Sequence, residues 1–156
     1  MTRGYIFEIV DDANKETLYT TDESDFYDMC GYEFDYVENV SDDERIMVAS
    51  DFLSTLLEKY GFESGEESST GNFYFVVSDK ARQNYFAKRY ETIKKYVDKM
   101  TLEEFSKSVV ELQNMIDDDY DDAVYFNGTF YHSFDYFVRN AELNKRYYIG
   151  SIVLMH

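Results

Sequence analysis

The sequence has no proline, no tryptophan, one cysteine, two histidines and seven glycines in 156 residues. Cys30 alone excludes an intrachain disulfide, and with His132 and His156 as the only imidazoles a zinc site, which needs about four ligands, would have to be built with carboxylates, for which no spacing speaks. A nucleophilic pairing of Cys30 with His132 is formally available, but a lone cysteine between Met29 and Gly31 reads as a small buried or loop residue. Gly61, Gly65 and Gly71 lack the spacing and the following lysine of a phosphate-cradling loop. No apolar run approaches the roughly 20 residues that cross a bilayer. The stretch Tyr5–Val10 is interrupted by Glu8 and too short and acidic for a signal peptide, so a reducing cytoplasm, that of a bacterial host cell, is the expected compartment. Scarce Pro, Gly and Ala beside abundant Lys, Asn, Asp, Tyr and Phe fit an AT-rich coding genome, bacterial or phage.

Acid and aromatic residues fill the space these absences leave. The chain carries 32 Asp plus Glu against 15 Lys plus Arg, a formal charge of -17, and 16 Tyr with 13 Phe. The aromatics supply a real core, unlike an acidic disordered tail, and the length fits one domain, 1–156. The charge disfavours direct binding to nucleic acid or an anionic membrane and favours a basic protein partner. It is also segregated. Residues 1–71 hold a net -15, residues 72–100 a net +4 and the remainder a net -6.

Local patterns predict an α+β domain, with three to four helices packed on an antiparallel or mixed β-sheet. Gly4–Val10 and Glu16–Thr20 read as a hairpin around Asp11–Asn14, and residues 22–30 as a short acidic helix or loop. Glu33–Val40 reads as a strand with Glu33, Asp35 and Val37 on one face and Phe34, Tyr36 and Val40 on the other. Ser41 with Glu44 is a capping box that opens a helix through Ile46, Ala49, Leu53, Leu56 and Tyr60, with Gly61 as its stop. Residues 63–71 read as an exposed loop and Phe73–Ser78 as a strand. Ser78 caps a helix to about Met100 on the stripe Phe86, Tyr90, Ile93, Val97 and Met100. Thr101 and Glu104 open another, spaced Leu102, Phe105, Val109, Leu112, Ile116. Asn127-Gly128 predicts a type I′ hairpin turn, Ser133 caps a short helix over residues 134–143, and Tyr147–Met155 is a buried strand. Aromatics beyond the needs of one small core leave a homodimer open beside a monomer.

A charge of -17 opposes compaction, so its concentration calls for a use. Carboxylates two apart on a strand are spaced roughly 6.5 to 7 Å, a scale that a phosphate-reading groove accepts. The candidate partner-binding residues are Asp22, Glu23, Asp25, Asp28, Glu33 and Asp35, with Asp117, Asp118, Asp119, Asp121 and Asp122 as a second cluster. Tyr27, Tyr32, Tyr36 and Tyr120 are interspersed as rigid anchors. The alternating Asp117, Asp119 and Asp121 imitate the start of a calcium loop, but its sixth position is Asp122 instead of Gly and its twelfth Gly128 instead of Glu, so no metal is expected there. No cofactor or catalytic residue is indicated.

In size, acidity and aromatic content the chain resembles the small inhibitors of bacterial defence carried by phages and mobile elements, the anti-restriction and anti-CRISPR group. The resemblance is one of overall character along the whole chain. It implies a non-catalytic protein that occupies the basic nucleic-acid-binding surface of a defence nuclease, a CRISPR effector or a restriction enzyme. Two alternatives stand beside it: an immunity protein neutralising a basic toxin nuclease, and a small enzyme or ligand-binding protein with a Tyr- and carboxylate-lined pocket.

Overall fold

The computed structural model describes residues 4–116 and 122–156. Seven strands and four α-helices follow in the order β1 (Gly4–Asp11), β2 (Val37–Asn39), α1 (Asp42–Tyr60), β3 (Glu63–Glu66), β4 (Phe73–Val76), α2 (Asp79–Asp98), α3 (Phe105–Ile116), β5 (Ala123–Phe126), β6 (Phe130–Ser133), α4 (Phe134–Asn140) and β7 (Arg146–Met155). Two 3-10 helices, Asp12–Thr17 and Glu23–Met29, lie between β1 and β2. The strands form one sheet in the order β3-β4-β7-β1-β5-β6, with β2 beside the far end of β7. β1 pairs parallel with β5 and every other pairing is antiparallel, so the expected α+β fold is present with a mixed sheet.

β1 and β7 are central and buried on both faces, which is why both read as nearly unbroken apolar runs instead of alternating ones. One face carries Phe7, Ile9, Ile149 and Ile152 and is covered by α1, α2 and α4 through residues such as Leu53, Leu56, Ala81, Phe134 and Phe137. The opposite face carries Ile6, Val153 and Met155, covered by Phe26, Phe34 and Val37, and next to them Val10 and Tyr148, covered by Leu18. This second cover is the segment between β1 and α1. Serine hydroxyls open three helices as the sequence predicts: Ser41 accepts from the Glu44 N–H, Ser78 from Ala81 and Ser133 from Tyr136. Gly61 stops α1 at φ 76°, and Asn127 and Gly128 turn the β5–β6 hairpin at φ 52° and 68°.

Five expectations are corrected. Residues 16–20 form no strand, because β1 already has β7 on one edge and β5 on the other; the Asp11 carboxylate instead caps a 3-10 turn by accepting from the Asn14 N–H. Only Val37–Asn39 of the predicted strand 33–40 pairs with β7, and Phe34 and Val37 face inward while Tyr36 is exposed, since a turn at Cys30–Phe34 breaks the alternation. Residues 63–66, read as loop, make strand β3 against β4. A Cβ at Gly65 would meet the Tyr74 hydroxyl at 2.8 Å, so a larger residue there would displace that ring. α2 leaves the core after Tyr85 and Phe86, so Tyr90 and Val97 of its predicted stripe are exposed. α3 is helical as expected but buries none of its side chains.

The fold also hides a carboxylate. Glu8, 2% exposed in the middle of β1, accepts from the Tyr19 N–H (2.6 Å) and Ser151 N–H (2.9 Å) with one oxygen. Its other oxygen accepts from the N–H groups of Thr20 (3.1 Å) and Thr21 (3.0 Å). The register of β1 on β7 shifts at this point, between Phe7 and Ile9, which frees the Ser151 N–H from the ladder. Glu8 thereby ties the start of the second cover, residues 19–21, to the two central strands. A Cβ at Gly150 would lie 2.8 Å from Leu18 Cδ2 and closer still to Glu8 Oε1. Gly150→Ala is therefore expected to destabilise the fold by about 2 kcal/mol, read by urea unfolding, by overpacking this contact.

Candidate functional site

Most of the predicted partner-binding residues lie on the second cover. Phe26 anchors it, its ring edge-on to Tyr125 at 5.0 Å, and Phe34 and Val37 complete the attachment. With these side chains turned inward, the polar residues between them are turned outward. Asp22, Asp25, Asp28, Glu33 and Asp35 are all exposed and Glu23 is half-buried.

Three of these acids hold the segment in shape. Asp22 accepts from the Ser24 N–H at 2.8 Å and from the Ser24 hydroxyl, while Asp25 accepts from the Asp22 N–H at 2.9 Å, a reciprocal cap on the 3-10 helix Glu23–Met29. The Glu23 N–H donates to Asn39 Oδ1 (2.8 Å), the Asn39 N–H donates to Glu23 Oε2 (3.1 Å), and the Tyr27 hydroxyl donates to Glu23 Oε1 (3.1 Å). The 3-10 helix is thus clamped to β2. The Ser24 hydroxyl first, and its N–H second, hold the Asp22 carboxyl below its ordinary value of 3.8. A depressed carboxylate contributes stability above its unfolded pKa and loses it as pH falls through the folded one, so this cap weakens only in acid below that range. Ser24→Ala should return the Asp22 titration midpoint toward the ordinary value, seen by carboxyl-carbon NMR across an acid titration.

Asp28, Glu33 and Asp35 make no side-chain hydrogen bond or ion pair among the described residues. Beside them stand exposed tyrosines: Tyr27, Tyr36 and Tyr32, the last 88% exposed. The Tyr36 ring stacks on His156 at 4.3 Å, and His156 Nε2 lies 3.0 Å from Glu38 Oε1, so this tyrosine is fixed although it points out. Between Lys15 and Arg45 the chain has eleven acids and no base.

The basic segment of the sequence does not neutralise this cover. Arg82 is spent on the Val138 carbonyl (2.9 Å) and the Ala141 carbonyl, and Arg89 on Asp135 (2.5 Å). Among the described residues no ion pair joins α2 to the acids of 22–44. The field of the cover is therefore directed at solvent.

The second predicted cluster is placed differently. Asp117, Asp118, Asp119, Tyr120 and Asp121 lie outside the described residues. Asp122 accepts from the Tyr5 N–H at 3.1 Å and its carbonyl from the Phe134 N–H at 3.3 Å, which pins the start of β5 to β1. It lines a cleft of about 510 Å³ between α1 and α2, on the face of the sheet opposite the second cover. The structure does not bring it to the surface formed by residues 22–35.

The alternative of a Tyr- and carboxylate-lined pocket has a place in the described residues, the cleft between α1 and α2, lined by Tyr60, Tyr85 and Asp122. The buried carboxylate Glu8 is absorbed by backbone donors instead of opening into a cavity. Cys30 donates to the Phe26 carbonyl at 3.7 Å, and His132 is stacked on Tyr136 at 4.0 Å. Among the described residues no three His, Cys, Asp or Glu side chains are grouped to hold a metal ion, and no helix is long and apolar enough to cross a membrane. No family model, curated protein or solved structure matches the chain.

Sequence reasoning found the acidic segment but missed Glu8 and the Glu38–His156–Tyr36 group. The signal for Glu8 was available, since an acid inside a central apolar strand must be satisfied from within. No sequence signal links Tyr36 to His156, which are joined only by the pairing of residues 35–37 with the end of β7.

Proposed function

We propose that this protein is a non-catalytic inhibitor that occupies the basic nucleic-acid-binding surface of a bacterial defence nuclease, a CRISPR effector or a restriction enzyme, in the host cytoplasm. The observation that carries the reading is the second cover: a base-free segment whose inward residues are aromatic and aliphatic and whose outward residues are carboxylates and tyrosines. Its hydrogen-bonded clamps lower the conformational entropy lost on binding, because Glu23, Asn39 and the Asp22–Asp25 cap already fix the backbone. A groove built to meet phosphates would meet carboxylates instead, with steering that weakens as salt rises. Tyr32, Tyr27 and Tyr36 supply the apolar contact that phosphate mimicry alone lacks.

The test is capture of the tagged protein's partner from a bacterial lysate that contains defence nucleases, with the bound material challenged by duplex DNA, by guide RNA and by salt. A nuclease released by nucleic acid and by salt is the expected result. A partner held regardless of both would contradict occupation of the nucleic-acid site, and so would a partner with no basic surface.

A further inference from the structure

A ring-lined pocket of about 380 Å³, a size that suits a small molecule, opens where the β5–β6 hairpin, α4 and the start of β7 meet the end of β1. Phe126, Phe137 and Tyr147 form its floor, set edge-on to one another with centroids 5.5, 6.0 and 5.0 Å apart. These three rings also pack in the core beneath the helices. Phe130, His132 and Tyr136 form a wall, stacked in sequence at 5.9 and 4.0 Å. Phe130 and Tyr136 are exposed, at 55% and 41%, so core packing accounts for the floor and leaves the wall without a structural use. The Arg139 guanidinium stands 5.3 Å from the Tyr136 centroid, and this wall therefore already attracts a cation to one of its rings.

The charged groups of the lining are the carboxylates Asp11 and Glu142 and the ammonium of Lys145. Lys145 is held first by Glu142 and feels Asp11 at longer range; the side chains of the pair are 54% and 69% exposed, which puts them at the mouth. Asp11 is half-buried, and its hydrogen-bond partners among the described residues are neutral. It accepts from the Asn14 N–H (3.1 Å), the Asn14 amide (2.8 Å) and the Asn127 amide (3.4 Å). One carboxylate is thus left in excess. The other polar groups of the lining are engaged within the protein: the Tyr147 hydroxyl accepts from the Glu142 N–H (2.8 Å), and the Asn140 amide donates to the Tyr136 carbonyl (3.0 Å). A guanidinium or a primary ammonium would bring N–H donors to a site with few free acceptors, and each one left unpaired opposes entry. A fully methylated ammonium brings none. We propose that this pocket binds a small quaternary ammonium compound, its methylated head against the rings and its charge balanced by Asp11. The site lies on the helix-covered face of the sheet and is independent of the inhibition proposed for the second cover.

The decisive experiment is an NMR titration of the intact chain with choline chloride at constant ionic strength, so that the general attraction of cations to a chain at -17 is the same at every point. Two further probes separate shape from charge. The alcohol 3,3-dimethylbutan-1-ol has the shape of choline without its charge, and methylguanidinium has the charge with N–H donors. Choline is expected to shift the ring signals of Phe130, His132 and Tyr136 to saturation, and both other probes to bind at least about tenfold more weakly. Phe130→Leu keeps an apolar side chain at an exposed position and is expected to weaken choline binding about fivefold with circular dichroism unchanged. Asp11→Asn keeps an acceptor for the Asn14 N–H while removing the charge, and should weaken it about as much, roughly fivefold. Shifts that never saturate, or that fall on residues 22–35 instead of the rings, overturn the proposal. So does an alcohol that binds as tightly as choline, which would make the pocket merely apolar, or methylguanidinium binding more tightly. Choline binding that is unchanged in both variants overturns it as well.

Discussion

Glu8→Ala is expected to cost about 4 kcal/mol of folding stability, the largest loss from any single side chain away from the aromatic core. The substitution removes the acceptor of four backbone N–H groups, those of Tyr19, Thr20, Thr21 and Ser151, around a carboxylate side chain only 2% exposed. Each buried donor left without a partner costs roughly 1–3 kcal/mol, less whatever relaxation or an entering water restores. Glu8→Gln keeps one acceptor oxygen but turns an NH2 group toward N–H donors, so it should cost about 2 kcal/mol and fall between wild type and alanine. Urea unfolding measures both. The alanine variant should also lose amide-exchange protection first at residues 19–21, because Glu8 is what fastens them to the sheet. A loss below about 1 kcal/mol would show that these donors find other partners and that the second cover is held mainly by Phe26 and Phe34.

That dependence explains which parts of the molecule were legible in the sequence. Elements that announce themselves through local chemistry were read correctly: the serine caps of α1, α2 and α4, the Gly61 stop and the Asn127-Gly128 turn all act within a few residues of where they stand. The errors fall where a distant partner decides. Residues 16–20 have strand-like composition, but the edge they would need is occupied by β5 and β7, and Glu8 draws them into a loop instead. The alternation predicted for residues 33–40 fails because Phe34 and Val37 must both enter the Phe26 cluster, which no two-residue period permits. The helical stripe of α3 was legible, but its exposure was not, since periodicity shows that a face is apolar and never what covers it.

The candidate surface shows the same division. Its acids were visible as charge, and six of them do lie on one cover, but composition could not separate those that hold the segment from those left unpaired. Asp22, Glu23 and Asp25 serve internal bonds, whereas Asp28, Glu33 and Asp35 serve none among the described residues. Asp122, counted in the sequence with the second cluster, fastens β5 to β1 on the other side of the sheet.

This separation makes the charge-reversal experiment clean. If the proposed nuclease partner is captured, the triple variant Asp28→Lys, Glu33→Lys, Asp35→Lys is expected to slow association with it by about 100-fold at low salt and to leave folding stability within about 1 kcal/mol. Six units of charge change on one cover while no internal bond is touched, so the loss belongs to steering and contact instead of to unfolding. Reversing Asp22, Glu23 and Asp25 would weaken binding too, but through a cap and a clamp that the backbone needs, and the two causes would be inseparable. Asp122→Asn supplies the control: it is expected to lower stability by about 1 kcal/mol with association unchanged, because its carboxylate serves the sheet and not the cover. Stopped-flow association across a salt series decides the matter. If the reversed protein associates as fast as wild type, with the same salt slope, the carboxylates are not what the nuclease recognises. If its association is slow at low salt and converges with wild type at high salt, the second cover is acting where phosphate would.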